Sequence, residues 1–399
     1  MNRFHGESTT IFLLALHRIG PYHHTRLQAA GPLLNIHVLE TRPQSQEYPW
    51  TFDAQGSYPI HRLNGQPHPE ADPPIAELDH QLAALLDHLQ PRAVISVGWA
   101  DRAYQRLLLA AQRRQIPMVI VSDSRQRDQS RSRAKEWLKR QLLSGYSSAL
   151  VAGTESRTYL QQLGFPASAI FQPWDVVDNA FFSEAADQQP IESVSASPVE
   201  PHFLCVSRFV AKKNHVGLIA AYSRYQRQGG SWGLRLIGSG PLETEIEAVI
   251  TQLPDPSRVA LLPFQQLEVL ASSYAQASAF VLASYTDQWG LVVNEAMAAG
   301  LPCLVSSACG CAADLIEHGR TGWRFDPTSP EQLMALMHAC ERQSPADRAV
   351  MVAAARQRLQ AFSPEAFASG LHQALEWALA HPRRSRRAAF TAQLLSRRP

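Results

Sequence analysis

The sequence predicts an α/β protein built as two successive parallel-sheet halves. Three observations carry this expectation. Short apolar runs of strand length alternate with helix-forming runs from residue 11 to residue 306. Turns rich in glycine, serine and charge follow several of those runs, at the strand ends where open parallel sheets bind ligands. A polar, Pro/Ser-rich stretch at residues 183–200 interrupts the alternation near mid-chain and reads as an interdomain linker. The 399 residues are 45% hydrophobic and 18% charged, enough for a sizeable core, and a net charge of +2 gives no global pull toward nucleic acid.

In the first half, IFLLAL (11–16) is a buried-strand pattern that runs into HRIGPYHHTRL (17–27). Gly20-Pro21 reads as a turn there, which places His17, His23 and His24 in a loop on the ligand side. Histidines at that position suit acceptor binding or proton transfer; the bland alternative is that they only solvate a loop. Residues 34–39 form a second strand pattern, and 41–74 read as one long irregular excursion. A helical period over 75–90 precedes the strand AVISVG (93–98), with Trp99, Asp101 and Tyr104 at its ligand end. Helix 103–114 and strand 118–121 lead to SDSRQRDQSRSRAKEWLKRQL (122–142), whose arginines crowd a helix start. The helix dipole disfavours cations there, so the pattern hints at an anionic partner. Strand 149–152 and helix 154–164, with Thr154 as its expected N-cap, follow.

The second half repeats this logic. Strand 203–206 leads to Ser207-Arg208 and the lysines Lys212 and Lys213; helix 215–226 and strand 234–237 follow. Gly238-Ser-Gly-Pro-Leu242 opens a helix at Glu243, strand 259–262 precedes Pro263-Phe264, and 267–276 is helical. The stretch 280–306, FVLASYTDQWGLVVNEAMAAGLPCLVS, reads as strand, loop, helix, strand, with Gly300 as a C-terminal cap. Asp287 and Glu295 bracket the loop–helix junction. The amides of Gly290, Leu291 and Val292 would lie at the helix start, a natural phosphate seat. An anion site between two acids suits a ligand with both phosphates and hydroxyls. From Pro330 onward the pattern is helical, broken near Pro345, Pro364 and Pro382.

Four segments in order now carry a resemblance. SRFVAKKNHVGLI (207–219), IGSGPLETEI (237–246), the spacing Asp287-x7-Glu295 within GLVVNEAMAAGLP, and CGCAADLIEHGRTGWRF (309–325) are similar to those of the family 4, or group 1, glycosyltransferases of the GT-B fold. AIFQPWDVVDNAFF (169–182) is similar to the segment that ends the N-terminal domain there.

The resemblance implies two Rossmann-like α/β/α domains facing each other across a cleft. It places an acceptor-binding domain at 1–182, the linker at 183–200 and a nucleotide-sugar domain at 201–363. Residues 364–399 would be helices and a basic tail packing back on the first domain. It implies transfer of a hexose from a nucleotide-diphosphate sugar to a glycan, a lipid-linked sugar or a small molecule, with retention of anomeric configuration, as in polysaccharide biosynthesis. Arg208 and Lys213 would hold the diphosphate, Asp287 the sugar hydroxyls and Glu295 the ribose. Gly238, Gly240, Phe264, Gly290, Leu291 and Val292 would complete the donor site. The family's first acid is usually Glu, and its N-terminal histidine is replaced here by Ser122-Asp123-Ser124. Asp123 and His23 are therefore the candidates for that catalytic work, and Gly20, His23, His24 and Trp99 for acceptor binding. No metal or other cofactor is expected.

Other readings stay open on the residues alone: another nucleotide-sugar reaction on this fold, such as epimerisation or hydrolysis, or a non-catalytic sugar- or membrane-binding relative. A dinucleotide oxidoreductase is disfavoured because the glycine turn lacks a third glycine. The five cysteines read as buried thiols of a reducing compartment, and Cys309-Gly-Cys311 lacks zinc-site spacing. No stretch reaches membrane-span length. The expectation is a cytoplasmic protein, peripheral at most at the inner membrane face; its basic patches at 101–150 and 383–399 suit anionic lipids or phosphorylated substrates, and the bland alternative is a solvated face and a frayed terminus.

Overall fold

The computed structural model describes residues 10–44, 50–52, 54, 56, 58–66, 68–69, 71–128, 132–188 and 200–397. The chain divides into two compact units, residues 1–176 with 364–399, and residues 177–363. Most of the expected linker, residues 189–199, lies outside the described residues.

Unit 1 begins with β1 (Ile11–Leu16), α1 (Pro21–Ala30), β2 (Asn35–Glu40), β3 (Ile60–Arg62), α2 (Ile75–Leu89) and β4 (Ala93–Val97). It continues with α3 (Arg102–Arg114), β5 (Met118–Ser122), α4 (Arg133–Leu143), β6 (Ser148–Val151), α5 (Thr154–Gln162) and β7 (Ile170–Phe171). The sheet is parallel throughout, in the order β3-β2-β1-β4-β5-β6-β7, so the strand order reverses between β1 and β4. The strands are apolar on both faces because helices cover both. In α2 the buried Leu78, Leu82, Leu86 and Leu89 form the stripe that a 3.6-residue period requires.

Unit 2 comprises α6 (Asn179–Asp187), β8 (His202–Val206), α7 (His215–Arg227), β9 (Gly233–Ile237), α8 (Glu243–Ile250) and β10 (Val259–Leu262). Then come α9 (Leu267–Gln276), β11 (Ala279–Leu282), α10 (Leu291–Ala298), β12 (Cys303–Ser306), α11 (Ala312–Leu315), β13 (Trp323–Phe325), α12 (Pro330–Glu341) and α13 (Pro345–Leu359). Its parallel sheet runs β10-β9-β8-β11-β12-β13 and reverses between β8 and β11. Helices α12 and α13 start with a serine N-cap followed by proline: Ser329 Oγ accepts from the Gln332 amide and Ser344 Oγ from that of Asp347. The chain ends with α14 (Pro364–Ala380) and α15 (Arg386–Leu395), which pack on unit 1; Ser148 Oγ donates to Ala374 O at 2.7 Å.

Several expectations change. His23 and His24 lie within α1 rather than in a loop, because Pro21 is a helix-starting proline. The excursion 41–74 contains β3, a short edge strand without an apolar run. Thr154 is the first helical residue, and Gly153 holds the cap position. Helix α6 belongs to unit 2 by its contacts, since Phe182 packs edge-on against Tyr274 with centroids 5.7 Å apart. The arginine run is partly consumed by internal ion pairs: buried Arg125 pairs with Asp128 at 2.8 Å and Glu155 at 2.9 Å, and Arg127 also reaches Glu155. Residue Arg131 of that run lies outside the described residues.

Candidate functional site

In unit 2 the segments singled out by sequence converge on one sheet edge. The turns after β8, β9, β10, β11 and β12 all lie at the C-terminal ends of parallel strands. The strand order reverses between β8 and β11, and a crevice opens at such a point. Lys213 follows β8 and Asp287 follows β11, so they flank that reversal from opposite sides. Lys213 Nζ donates to Asp287 Oδ2, and both side chains are 13% exposed. Backbone bonds fix the loops: the Tyr285 amide donates to Lys212 O at 2.8 Å and joins the post-β11 loop to the post-β8 loop, and Gly310 N, after β12, donates to Asp287 O at 2.9 Å.

Asn214 shapes the Lys213 side. It sits at φ 57, a left-handed conformation that Asn tolerates better than most residues, and its Oδ1 caps α7 through the Gly217 amide. Its Nδ2 donates to Ala283 O and Pro327 O at 3.0 Å each. His215, next in sequence, is buried; its Nε2 and Ser207 Oγ share a hydrogen bond at 3.0 Å. Burial, and then the nearby Lys213 charge, lower its pKa to about 4.

The glycine turn is built for backbone contact. A Cβ on Gly238 would stand 2.0 Å from Ser207 O, and one on Gly240 would stand 2.5 Å from Phe209 O. The Phe209 amide donates to Ser239 O at 2.8 Å. The turn therefore locks the Arg208 loop in place, and Arg208 itself is exposed. Phe264, after β10, is half-buried on the same edge. Gly290 caps α10 at φ 105, a conformation other residues avoid, and Leu291 and Val292 begin the helix half-buried. The first amides of a helix lack intrahelical acceptors, so this end favours an anion.

Glu295 departs from expectation. Its residue is fully buried, and Oε2 accepts from the Tyr274 hydroxyl at 2.7 Å. In this conformation it offers no surface to a ribose. Tyr274 escaped the sequence reading because its only signal was an apolar helical position. Trp289, read as part of a polar loop, is buried as well; its indole N–H donates to Asn294 Oδ1 at 2.9 Å.

In unit 1 the equivalent reversal, between β1 and β4, carries His17 and Asp101. His17 Nε2 is hydrogen-bonded to Asp101 Oδ2, and its ring stacks on Tyr104 at 5.5 Å. Arg42 reaches Asp101 at 3.2 Å. Burial alone would raise the Asp101 pKa, but His17 and Arg42 outweigh it and hold the carboxyl below its usual value. His23 is lowered to about 3 by burial, then by the charges of Arg26 and His17. Arg26 pairs with Asp175 at 3.2 Å beneath the Trp174 ring and lies within electrostatic reach of Asp123. His24 instead anchors the excursion: its Nδ1 is 2.7 Å from Tyr58 Oη and its ring packs edge-on against Phe52. Trp99 packs on the core under Lys139 Nζ, 5.2 Å from the ring centre, and Gly20 caps α1. Trp99 and His24 thus have structural partners of their own. Among the described residues no group of three or more His, Cys, Asp or Glu is placed to hold a metal ion. No helix there is long and apolar enough to cross a membrane.

Residues 188–358 match the family model described as glycosyl transferases, group 1. Over those residues the chain is similar to the group 1 glycosyl transferases. The match spans the unit 2 turns just described. Among curated relatives, the amylovoran biosynthesis glycosyltransferase AmsK of Erwinia amylovora is 33% identical over 163 residues, 39% of this chain and 40% of that protein. The N-acetyl-alpha-D-glucosaminyl L-malate synthase of Bacillus anthracis is 26% identical over 158 residues, 40% of each chain. The matched stretches thus span less than half the length of these curated relatives. Solved structures extend the likeness of fold across both units. A glycosyltransferase from Rickettsia africae aligns with TM-score 0.72 and 12% identity, over 94% of this chain and 99% of that one. Anabaena HepE in complex with UDP and glucose aligns with TM-score 0.71 and 17% identity, over 92% and 99%.

Proposed function

We propose that the protein transfers a hexose from a nucleoside-diphosphate sugar to a glycan, lipid-linked sugar or small-molecule acceptor, with retention of anomeric configuration. The observation that carries this reading is the Lys213–Asp287 pair at the β8/β11 reversal, beside Gly290 at the start of α10 and in the same post-β8 loop as the exposed Arg208. A departing diphosphate gains negative charge as its bond to the sugar breaks. Fixed cations at Arg208 and Lys213 stabilise that charge more than they stabilise the ground state. Asp287, an acceptor-only carboxylate, is suited to the hydroxyls of the transferred sugar. Glu295 takes the ribose hydroxyls once its surroundings open, while Tyr274 keeps hold of Oε2. The UDP- and glucose-bound state of the HepE fold neighbour supports a nucleotide-sugar donor.

The ligand edge of unit 1 serves the acceptor in this reading, through His23, Asp123 and the His17–Asp101 pair. His23, held neutral, can accept a hydrogen bond from the acceptor hydroxyl and so orient it, and the leaving phosphate can take the proton. In this reading Arg208 and Lys213 supply the positive charge that a metal would otherwise bring to the phosphates. The test is calorimetric titration with UDP-, GDP- and ADP-sugars, followed by NMR of the product's anomeric configuration. Absence of heat with every donor would sink the reading, and an inverted product would remove retention alone. Turnover lost in Arg208→Met and Asp287→Asn separates an enzyme from a sugar-binding relative.

A further inference from the structure

Phe390 is the most exposed large apolar side chain among the described residues, at 72%. It lies on α15 with Leu394, 48% exposed, one turn further on. The opposite face of α15 buries Ala388, Thr391 and Ala392 in unit 1. Along the outer face run Arg387, Phe390, Leu394 and Arg397, all exposed. This is an apolar pair bracketed by arginines at helical spacing.

The surroundings extend the pattern. Helix α15 packs against both α3 and α4. On α4, Trp137 is 59% exposed, and Arg133, Lys135 and Arg140 are exposed near it in sequence. The acid among them, Glu136, is paired with Lys139 Nζ at 2.9 Å and accepts from the Tyr159 hydroxyl at 2.8 Å. Between α3 and α15 lies a groove of about 400 Å³ in which Arg113, Arg384 and Arg386 surround Leu109 and Ala389. Residues 382–399 contain no acid.

Exposed apolar side chains on a cationic face call for a cover that is both anionic and apolar. An anionic bilayer supplies both, with phosphates at the surface and acyl chains just below. A second copy of this face would set arginines against arginines. A nucleic acid would meet the charge but leave Leu394 without a role. We propose that α15 and the adjoining face of α4 form a docking surface for an anionic lipid bilayer. Phe390, Leu394 and Trp137 enter the headgroup boundary, and the arginines meet lipid phosphates. This docking does not depend on the transfer reaction.

The test is co-sedimentation of the full chain with vesicles of phosphatidylcholine alone and of phosphatidylcholine mixed with phosphatidylglycerol. Removing α15 would strip Ala388 and Ala392 from the core, so the variants are surface substitutions with a melting curve as the folding control. Selective binding to the mixed vesicles is expected. Phe390→Ser with Leu394→Ser lowers that partition about tenfold or more. Arg386→Gln with Arg387→Gln lowers it by about 25-fold, roughly fivefold for each arginine. Three results overturn the proposal: equal binding to both vesicle types, no binding to either, or binding that neither double variant weakens. Binding to a duplex oligonucleotide with no vesicle binding, or self-association lost in the Phe390→Ser/Leu394→Ser variant with no vesicle binding, also overturns it.

Discussion

Tyr274 donates its hydroxyl hydrogen to Glu295 Oε2 at 2.7 Å, and both residues are fully buried in unit 2. The contact ties α9 to α10 and therefore supports the helix start that carries Gly290, Leu291 and Val292. Tyr274→Phe takes one donor from a buried carboxylate. The expected cost is about 1–3 kcal/mol in urea unfolding. An unchanged midpoint would show that the other contacts of Glu295 suffice.

The Lys213–Asp287 pair predicts a kinetic effect. Lys213→Met removes a cation from the edge where, in the proposed reaction, phosphate charge develops. Sugar transfer at saturating donor is expected to fall about 10²–10³-fold. Because the pair is linked, the double variant with Asp287→Asn should lose less than the product of the two single losses. Multiplying losses in initial-rate measurements would mean that the two residues act separately.

Gly238→Ala tests the interlock of the two turns. The new methyl carbon would lie 2.0 Å from Ser207 O, a backbone atom that cannot rotate away. A loss of about 3 kcal/mol or more is expected, or failure to accumulate soluble protein. A variant with wild-type unfolding behaviour would show that the Arg208 loop is free to shift.

Protonation of His215 sets an acid limit on unit 2. Its folded pKa, about 4, lies below the ordinary 6.5, so the unfolded chain binds more protons between those values. Its contribution is present in full above about pH 6.5 and is lost as pH falls toward 4. Between pH 7 and pH 5 the loss is about 2 kcal/mol. Urea midpoints of wild type and His215→Asn should converge over that interval, and parallel pH slopes would contradict the assignment.

What could be read from the sequence was local. Helix α9 has the bounds that its apolar period predicts, and Gly300 stands at φ 78 after α10, as its place beyond a helical run implies. The four segments of the group 1 resemblance come to one sheet edge because each follows a strand. The departures come from contacts between residues distant in sequence. Arg125 pairs with Asp128 nearby in sequence, but its second partner, Glu155, is 30 residues away and could not be read from the local pattern. Helix α6 looked like the end of the first domain because nothing near Phe182 announces Tyr274. Strand β3 carries His61 and Arg62 at a sheet edge, where the apolar alternation that marks a strand is not required.

The placement of α14 and α15 also bears on synthesis. Residues 364–397 complete a unit whose sheet is drawn from residues 11–171, with all of unit 2 translated in between. As the chain leaves the ribosome, unit 2 has its whole sequence available before unit 1 does. Until α14 emerges, the side of β6 that Ser148 presents to Ala374 waits without its cover. Late truncations should therefore injure the beginning of the protein first.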